Sequence, residues 1–291
     1  MNFDYLLKNL RTKNDQIIKY RYEKITKAVN EGFWSSSSQT LNTRYVGSYG
    51  RGTCIDGFSD IDILAILPPS LYTNYNNYSY NGQSALIQRL KLVINNVYPT
   101  TIKKGDGQVV VVSFSDGVEF EIVPAFRYGE KFIYPDSHQG GTWKQCDPIS
   151  EIKELNNTNK FYNGKIKILS RLTRAWRTVN DVEISGILID TLAYKYIVEK
   201  YYGEEKYKLD NRFLFCDFLL YIVDEYSNNN SWFIFGSKDV LYKKEVDFSR
   251  KIFQGCKDIL EAIKYENTEK YKSDSYWFKV FGRYAREVAY K

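Results

Sequence analysis

The chain has 291 residues, 43% apolar and 26% charged, which is enough for one large domain or two lobes with a buried core. Its formal charge of +6, from 41 basic and 35 acidic residues, is too mild for a dedicated duplex-DNA binder and leaves an anionic small substrate open. Cys54, Cys146, Cys216 and Cys256 are too scattered for a disulfide framework or a zinc site, and the lone histidine, His138, excludes Ser-His-Asp, Cys-His and multi-histidine metal schemes.

Apolar residues recur at intervals of three and four over residues 3–33, so the stretch reads as one long amphipathic helix bracing both lobes. It lacks the apolar core of a cleavable leader, and FLFCDFLLYIV at 213–223 is too short to cross a membrane, so a cytoplasmic protein without membrane contact is expected. After the polar tract SSSSQTLN, Tyr45 to Gly47 reads as a strand running into a glycine turn. Asp60 to Leu67 reads as a short buried strand stopped by Pro68 and Pro69. Residues 73–83 read as a loop and 84–96 as a helix. VVVVSFSDGVEFEIVPAF at 109–126 is a hairpin turning at Ser115, Asp116 and Gly117. From Pro135 to Asn163 the chain reads as a crossover, with a domain boundary between 150 and 163. Helices follow at about 164–179, 185–202, 211–227, 246–265 and 274–289. The expected class is therefore α+β, with a mixed lobe over 1–160 and a helical lobe over 161–291.

Side chains alternate along a strand, so Asp60 and Asp62 project to one face with backbones about 6.5 Å apart, from about 3.3 Å per residue. Two carboxylates so placed suit a pair of hard cations about 3.5–4 Å apart. Gly47, Gly50 and Gly52 precede them, leaving backbone amides open to phosphate oxygens, and Ser48 adds a hydroxyl. On the hairpin, Glu119 and Glu121 alternate with Val118, Phe120 and Ile122; if this strand lies beside the aspartates, three carboxylates gather and bound metal relieves their repulsion.

VGSYGRGT, SDIDIL and FEIVPAF resemble the nucleotidyltransferase core of DNA polymerase β-like enzymes. Together with YPDSHQGGTWKQCDP, RLTRAWR and EISGILIDTLAYKYI they resemble the bacterial cGAS/DncV-like nucleotidyltransferases, which make cyclic or linear oligonucleotide second messengers for anti-phage defence. The resemblance spans most of the chain. It implies that Gly47 and Ser48 hold the donor triphosphate, that Asp60 and Asp62 ligate two Mg²⁺ (Mn²⁺ as the substitute), and that Glu121 is the third acid, helping to activate the acceptor hydroxyl. It places Arg174 where relatives carry a phosphate-binding lysine and Ser185 where a serine touches the triphosphate. It implies ATP, GTP or pyrimidine NTPs as substrates, no required nucleic acid, and a separate effector protein that reads the product. Glu121 for aspartate and Arg174 for lysine are departures, and Gly186 stands where some relatives carry a base-stacking aromatic, leaving Tyr201 and Tyr202 as candidates. Arg171, Arg177, Lys165 and Lys167 are further phosphate candidates, and KYENTEKYKSDSYWFK at 264–279 interleaves basic and aromatic residues as nucleic-acid surfaces do.

Two other readings stay open: a template-independent transferase acting on RNA, protein or a small molecule, and a non-catalytic nucleotide or RNA sensor. The three acids weigh against the sensor.

Overall fold

The computed structural model describes residues 3–13, 15–57, 60–99, 101–201 and 210–286, the side chains of 102–106 excepted. The chain divides into two compact units, one formed by residues 14–51 and 59–152, the other by 1–13, 52–58 and 153–291.

The first unit is built on a sheet. Helix α2 (Asp15–Phe33), strand β1 (Thr43–Tyr45), the short helix α3 (Gly47–Arg51) and strand β2 (Ile61–Ile66) open it. Helices α4 (Pro69–Asn76) and α5 (Gly82–Asn95) follow, then β3 (Ile102–Asp106), β4 (Val109–Ser113), β5 (Glu119–Tyr128), β6 (Lys131–Asp136) and β7 (Thr142–Cys146). Among the described residues the strands run β1-β2-β5-β4-β3, with β6 paired to β5 and β7 to β6. Of these pairings, among the described residues, only β2–β5 is parallel. Ile61, Ile63, Phe120, Ile122, Val110 and Val112 fill the main core, on the sheet face covered by α2 and α5. The opposite face carries a smaller cluster of Val46, Leu64, Ile66, Ala125 and Phe132.

The expected hairpin is present, with Gly117 at φ +83° in its turn. Three expectations change. Residues 73–83 are partly helical, because Pro69 takes the first position of α4, where its missing N–H costs nothing. Gly47 begins a helix rather than ending a strand. The crossover after Pro135 is the β6–β7 ladder followed by helix α6 (Pro148–Phe161).

The second unit is helical: α1 (Phe3–Asn9), most of α6, α7 (Lys165–Val179), α8 (Gly186–Lys200), α9 (Asn211–Asn228), a hairpin of β8 (Ser231–Phe233) and β9 (Val240–Tyr242), then α10 (Ser249–Tyr265), α11 (Lys270–Phe281) and α12 (Arg283–Arg286). Its core includes Leu6, Leu10, Ile55, Trp176, Phe215 and Trp277. The apolar run at 213–223 lies in α9, where Leu214, Phe215, Phe218 and Leu219 are buried; among the described residues no helix is long and apolar enough to cross a membrane.

The single helix read over 3–33 is two. Past α1 the chain turns to Asp56: the Leu10 carbonyl accepts from the Asp56 amide at 3.1 Å, and the Lys13 amide donates to Asp56 Oδ1 at 3.0 Å. Backbone groups that would continue the helix are spent on another segment, which periodicity does not reveal. The apolar positions read as one stripe thus serve different cores, α1 that of the helical unit and α2 that of the sheet unit.

Candidate functional site

The parallel ladder sets Ile61 beside Phe120 and Asp62 beside Glu121. Ile61 and Phe120 point into the main core, so the pleat turns Asp62 and Glu121 to the other face. Asp60 stands just ahead of β2, and Glu119 lies two residues before Glu121 on β5. Farther along, the same face carries the apolar Leu64 and Ile66, so the acids occupy one end of it. Four acidic positions thus lie at the starts of two neighbouring strands.

Their electrostatics reflect the crowding. Loss of water pushes the Asp62 carboxyl up to about 6; Arg51 pulls it back, Asp60 adds to the rise, and the Ser48 amide pulls it down by hydrogen bonding. Asp60, exposed ahead of the strand, is also raised, by partial desolvation and then by Glu119. Glu119 is engaged by Ser113, whose hydroxyl donates to Glu119 Oε2 at 2.5 Å.

Helix α3 seats directly on Asp62. The Val46 amide donates to the Asp62 carbonyl at 2.9 Å, closing the approach from β1. Gly47 is at φ +57°, and a Cβ there would stand 1.8 Å from Asp62 Oδ2. Glycine is therefore required to admit the carboxylate, a different reason from the open amides inferred from sequence. Gly50 is equally constrained, since a Cβ would lie 2.6 Å from the Tyr45 carbonyl oxygen. Arg51, which the sequence reading passed over, is buried and pairs with Glu151 at 2.9 Å while its charge acts on Asp62. A cation one turn beyond a GS pair was the signal available for it.

Asp60, Asp62 and Glu121 offer hard oxygen donors on one sheet face, and a buried carboxyl raised by burial and a neighbouring acid is the chemistry a divalent cation relieves. As the side chains stand, no three such groups among the described residues close around a single point. The donor set fits hard cations in type and face.

The remaining candidates lie in the helical unit. Arg174 is 2% exposed; its Nη1 donates to Asp190 Oδ1 at 2.6 Å, and its Nη2 to Asp190 Oδ2 and the Gly186 carbonyl, both at 2.9 Å. Its guanidinium is thus engaged by a carboxylate of its own unit, where the resemblance implies phosphate. Ser185 caps α8, its Oγ accepting from the Leu188 amide at 3.3 Å. Lys165 and Lys167 donate to Asn211 and Asn156, each at 2.6 Å. Arg171 and Arg177 donate to the carbonyls of Gly52 at 2.6 Å and Ile184 at 2.5 Å.

Tyr201 is not a stacking platform: it is buried against Tyr196, whose hydroxyl lies 2.9 Å from its own. Tyr202 falls outside the described residues. His138 sits 2.6 Å from Asp136, a carboxylate that Lys144, His138 and Gln108 hold well below the usual range. In the 264–279 segment Lys264 and Lys272 lie over Tyr265 and near Glu261 and Glu269, so these two charges have partners within the chain.

Residues 1–159 match the model of the Second Messenger Oligonucleotide or Dinucleotide Synthetase domain. A probable cyclic nucleotide synthase of Bacillus cereus is 26% identical, with 81% of this chain and 80% of the relative covered. Among solved structures, Escherichia coli CdnC in complex with a HORMA protein superposes with a TM-score of 0.71 at 13% identity, over 97% of this chain and 96% of that one. Vibrio cholerae DncV, a cyclic AMP-GMP synthase in complex with a linear intermediate, gives 0.71 at 11% identity over 96% and 94%. Bradyrhizobium diazoefficiens CdnG in complex with GTP gives 0.70 at 11% over 97% and 95%. At these identities the structural likeness concerns the fold.

Proposed function

The chain belongs to the Second Messenger Oligonucleotide or Dinucleotide Synthetase family and is a nucleotidyltransferase of the cyclic nucleotide synthase kind, and on that premise we propose that it joins NTPs into a cyclic dinucleotide or short cyclic oligonucleotide. The observation that carries the reading is the register of Asp62 beside Glu121, with Asp60 ahead of the strand and Gly47 opened to admit the Asp62 carboxylate. The likeness to structures solved with GTP, or with a linear dinucleotide intermediate, supports nucleotides as the substrates.

Asp60, Asp62 and Glu121 would hold two divalent cations, Mg²⁺ or Mn²⁺, which when bound supply charge neutralisation on the triphosphate and lower the proton affinity of the acceptor hydroxyl. The rest falls to the chain itself. Glu121, the one acid on the neighbouring strand that faces Asp62, takes the proton from the acceptor ribose hydroxyl. Ser48 offers its hydroxyl to the triphosphate of the donor, beside the amide it now donates to Asp62. The acceptor oxygen then bonds to the donor α-phosphorus as the α–β phosphoanhydride bond breaks and pyrophosphate leaves, and a second transfer of the same kind, with loss of a second pyrophosphate, closes the ring. The product would be read by a separate effector protein, in anti-phage defence, as the family resemblance implies.

The test is incubation of the full chain with all four labelled NTPs and Mg²⁺ or Mn²⁺, with phosphatase-resistant product read by mass spectrometry. Asp60→Asn together with Asp62→Asn is expected to abolish the product. Product that survives both changes, or that appears only when RNA or a protein acceptor is added, overturns the reading.

A further inference from the structure

The chain from Gly52 to Gly57 joins α3 to the strand of the acids, yet it packs within the helical unit. It is held there along its length. Thr53 is fully buried, and its Oγ1 donates to Asp190 Oδ2 at 2.9 Å. Arg171 Nη2 donates to the Gly52 carbonyl at 2.6 Å, and the Tyr284 hydroxyl to the Asp56 carbonyl at 2.9 Å. Connecting segments ordinarily run over the surface, so burial of this one needs a cause.

Asp190 supplies it. This carboxylate is fully buried and takes both Arg174 guanidinium nitrogens together with the Thr53 hydroxyl. A buried ion pair returns little net stability against apolar residues of the same volume, because desolvation offsets the attraction. What such a pair does provide is direction: the fork of Arg174 fixes the Asp190 carboxyl plane, and with it the lone pair to which Thr53 donates.

We propose that Asp190, oriented by Arg174, is a positioning residue for nucleotidyl transfer, acting through Thr53 on the segment that connects Gly47 and Ser48 to Asp60 and Asp62. This rests on the reading of those four residues as the reacting site. Thr53 follows the end of α3 by two positions, so a shift of its backbone is passed along the chain to α3, where Gly47 packs so near Asp62 that a Cβ would stand 1.8 Å from its Oδ2. Displacements of about 1 Å in such supports cost about 100-fold in rate.

The test uses the full chain. Thr53→Val keeps the shape and removes the donor; it is expected to lower kcat about 10- to 100-fold while KM for NTP stays within about threefold, and Thr53→Ser should restore most of the rate. Arg174→Lys should give the same signature, and the double variant Thr53→Val, Arg174→Lys should be no worse than the poorer single, as members of one network behave. In hydrogen exchange, Thr53→Val should speed the amides of Gly47–Arg51 and leave those of Lys165–Val179 unchanged. A Thr53→Val enzyme with kcat within about twofold of the parent overturns the proposal, as does an Arg174→Lys enzyme that keeps kcat while KM rises about tenfold or more, the mark of direct phosphate contact. If the unaltered chain makes no product from NTPs, the catalytic reading fails by itself, and hydrogen exchange then decides the positioning role: faster exchange at α3 supports it and unchanged exchange overturns it.

Discussion

Asp62 is raised toward 6 by burial, so ionising it works against folding, whereas the proposed chemistry needs it ionised. Its folded value lies above the ordinary carboxylate value of 3.8, so the folded chain holds this proton more tightly than the unfolded one. The resulting stabilisation is complete below about pH 4 and is lost as the pH rises through about 6. Asp62→Asn, measured in chelator, should therefore raise the melting temperature at pH 8, leave it nearly unchanged at pH 4, and abolish product formation. Calorimetry at the two pH values checks this, and equal melting temperatures at pH 8 would show that the carboxyl is not destabilised by its surroundings. Gly47 marks how far single residues were legible. The sequence assigns this glycine to phosphate access, and the structure adds that it makes room for the Asp62 carboxylate. Arg51 and Asp190 were missed because a charged residue on a helix reads as solvated until the fold buries it.

At the scale of elements, α8 offers the sharpest test because Ser185 has a structural duty independent of any substrate. Its Oγ caps the helix at the Leu188 amide, and removing such a cap costs about 0.5–2 kcal/mol, typically ~1. Ser185→Ala should lose that stability in denaturant unfolding, while Ser185→Gly should lose only a few tenths of it. A rise in KM for NTP shared by both variants would add the triphosphate contact that the resemblance implies; a KM unchanged in both would leave Ser185 as a cap alone. Elements with a strong local period were readable: β2, the β4–β5 hairpin, α7 and α9 lie where alternation or three-and-four spacing put them. The division of the N-terminal helix was not, because Leu10 and Lys13 leave the helical path for partners at Asp56. The β6–β7 ladder was hidden by the Gly, Pro and polar content of YPDSHQGGTWKQCDP, which reads as loop until pairing supplies the missing hydrogen bonds.

At the scale of the whole molecule the division into units is discontinuous, whereas the sequence suggests one cut near residue 160. Leu6, Leu10 and Ile55 belong to the core of the helical unit, so a fragment of residues 161–291 lacks part of the surface that buries Trp176 and Trp277. Such a fragment is expected to melt without a cooperative transition in circular dichroism, whereas the full chain melts cooperatively; a cooperative, full-amplitude transition in the fragment would show that the two N-terminal segments are dispensable. The amino-acid order alone determined the acid-bearing strand, the second strand with its alternating glutamates, the hairpin turn at Gly117 and the predominantly helical second half, since each follows from the period of nearby side chains or from glycine and proline backbone limits. Only the tertiary structure decided that Glu121 stands beside Asp62, that Gly47 makes room for a carboxylate, and that Arg174 meets Asp190. The partner of a buried charge is chosen by which elements pack together, and Thr53 and Asp190, 137 residues apart, carry no local pattern that could announce their hydrogen bond.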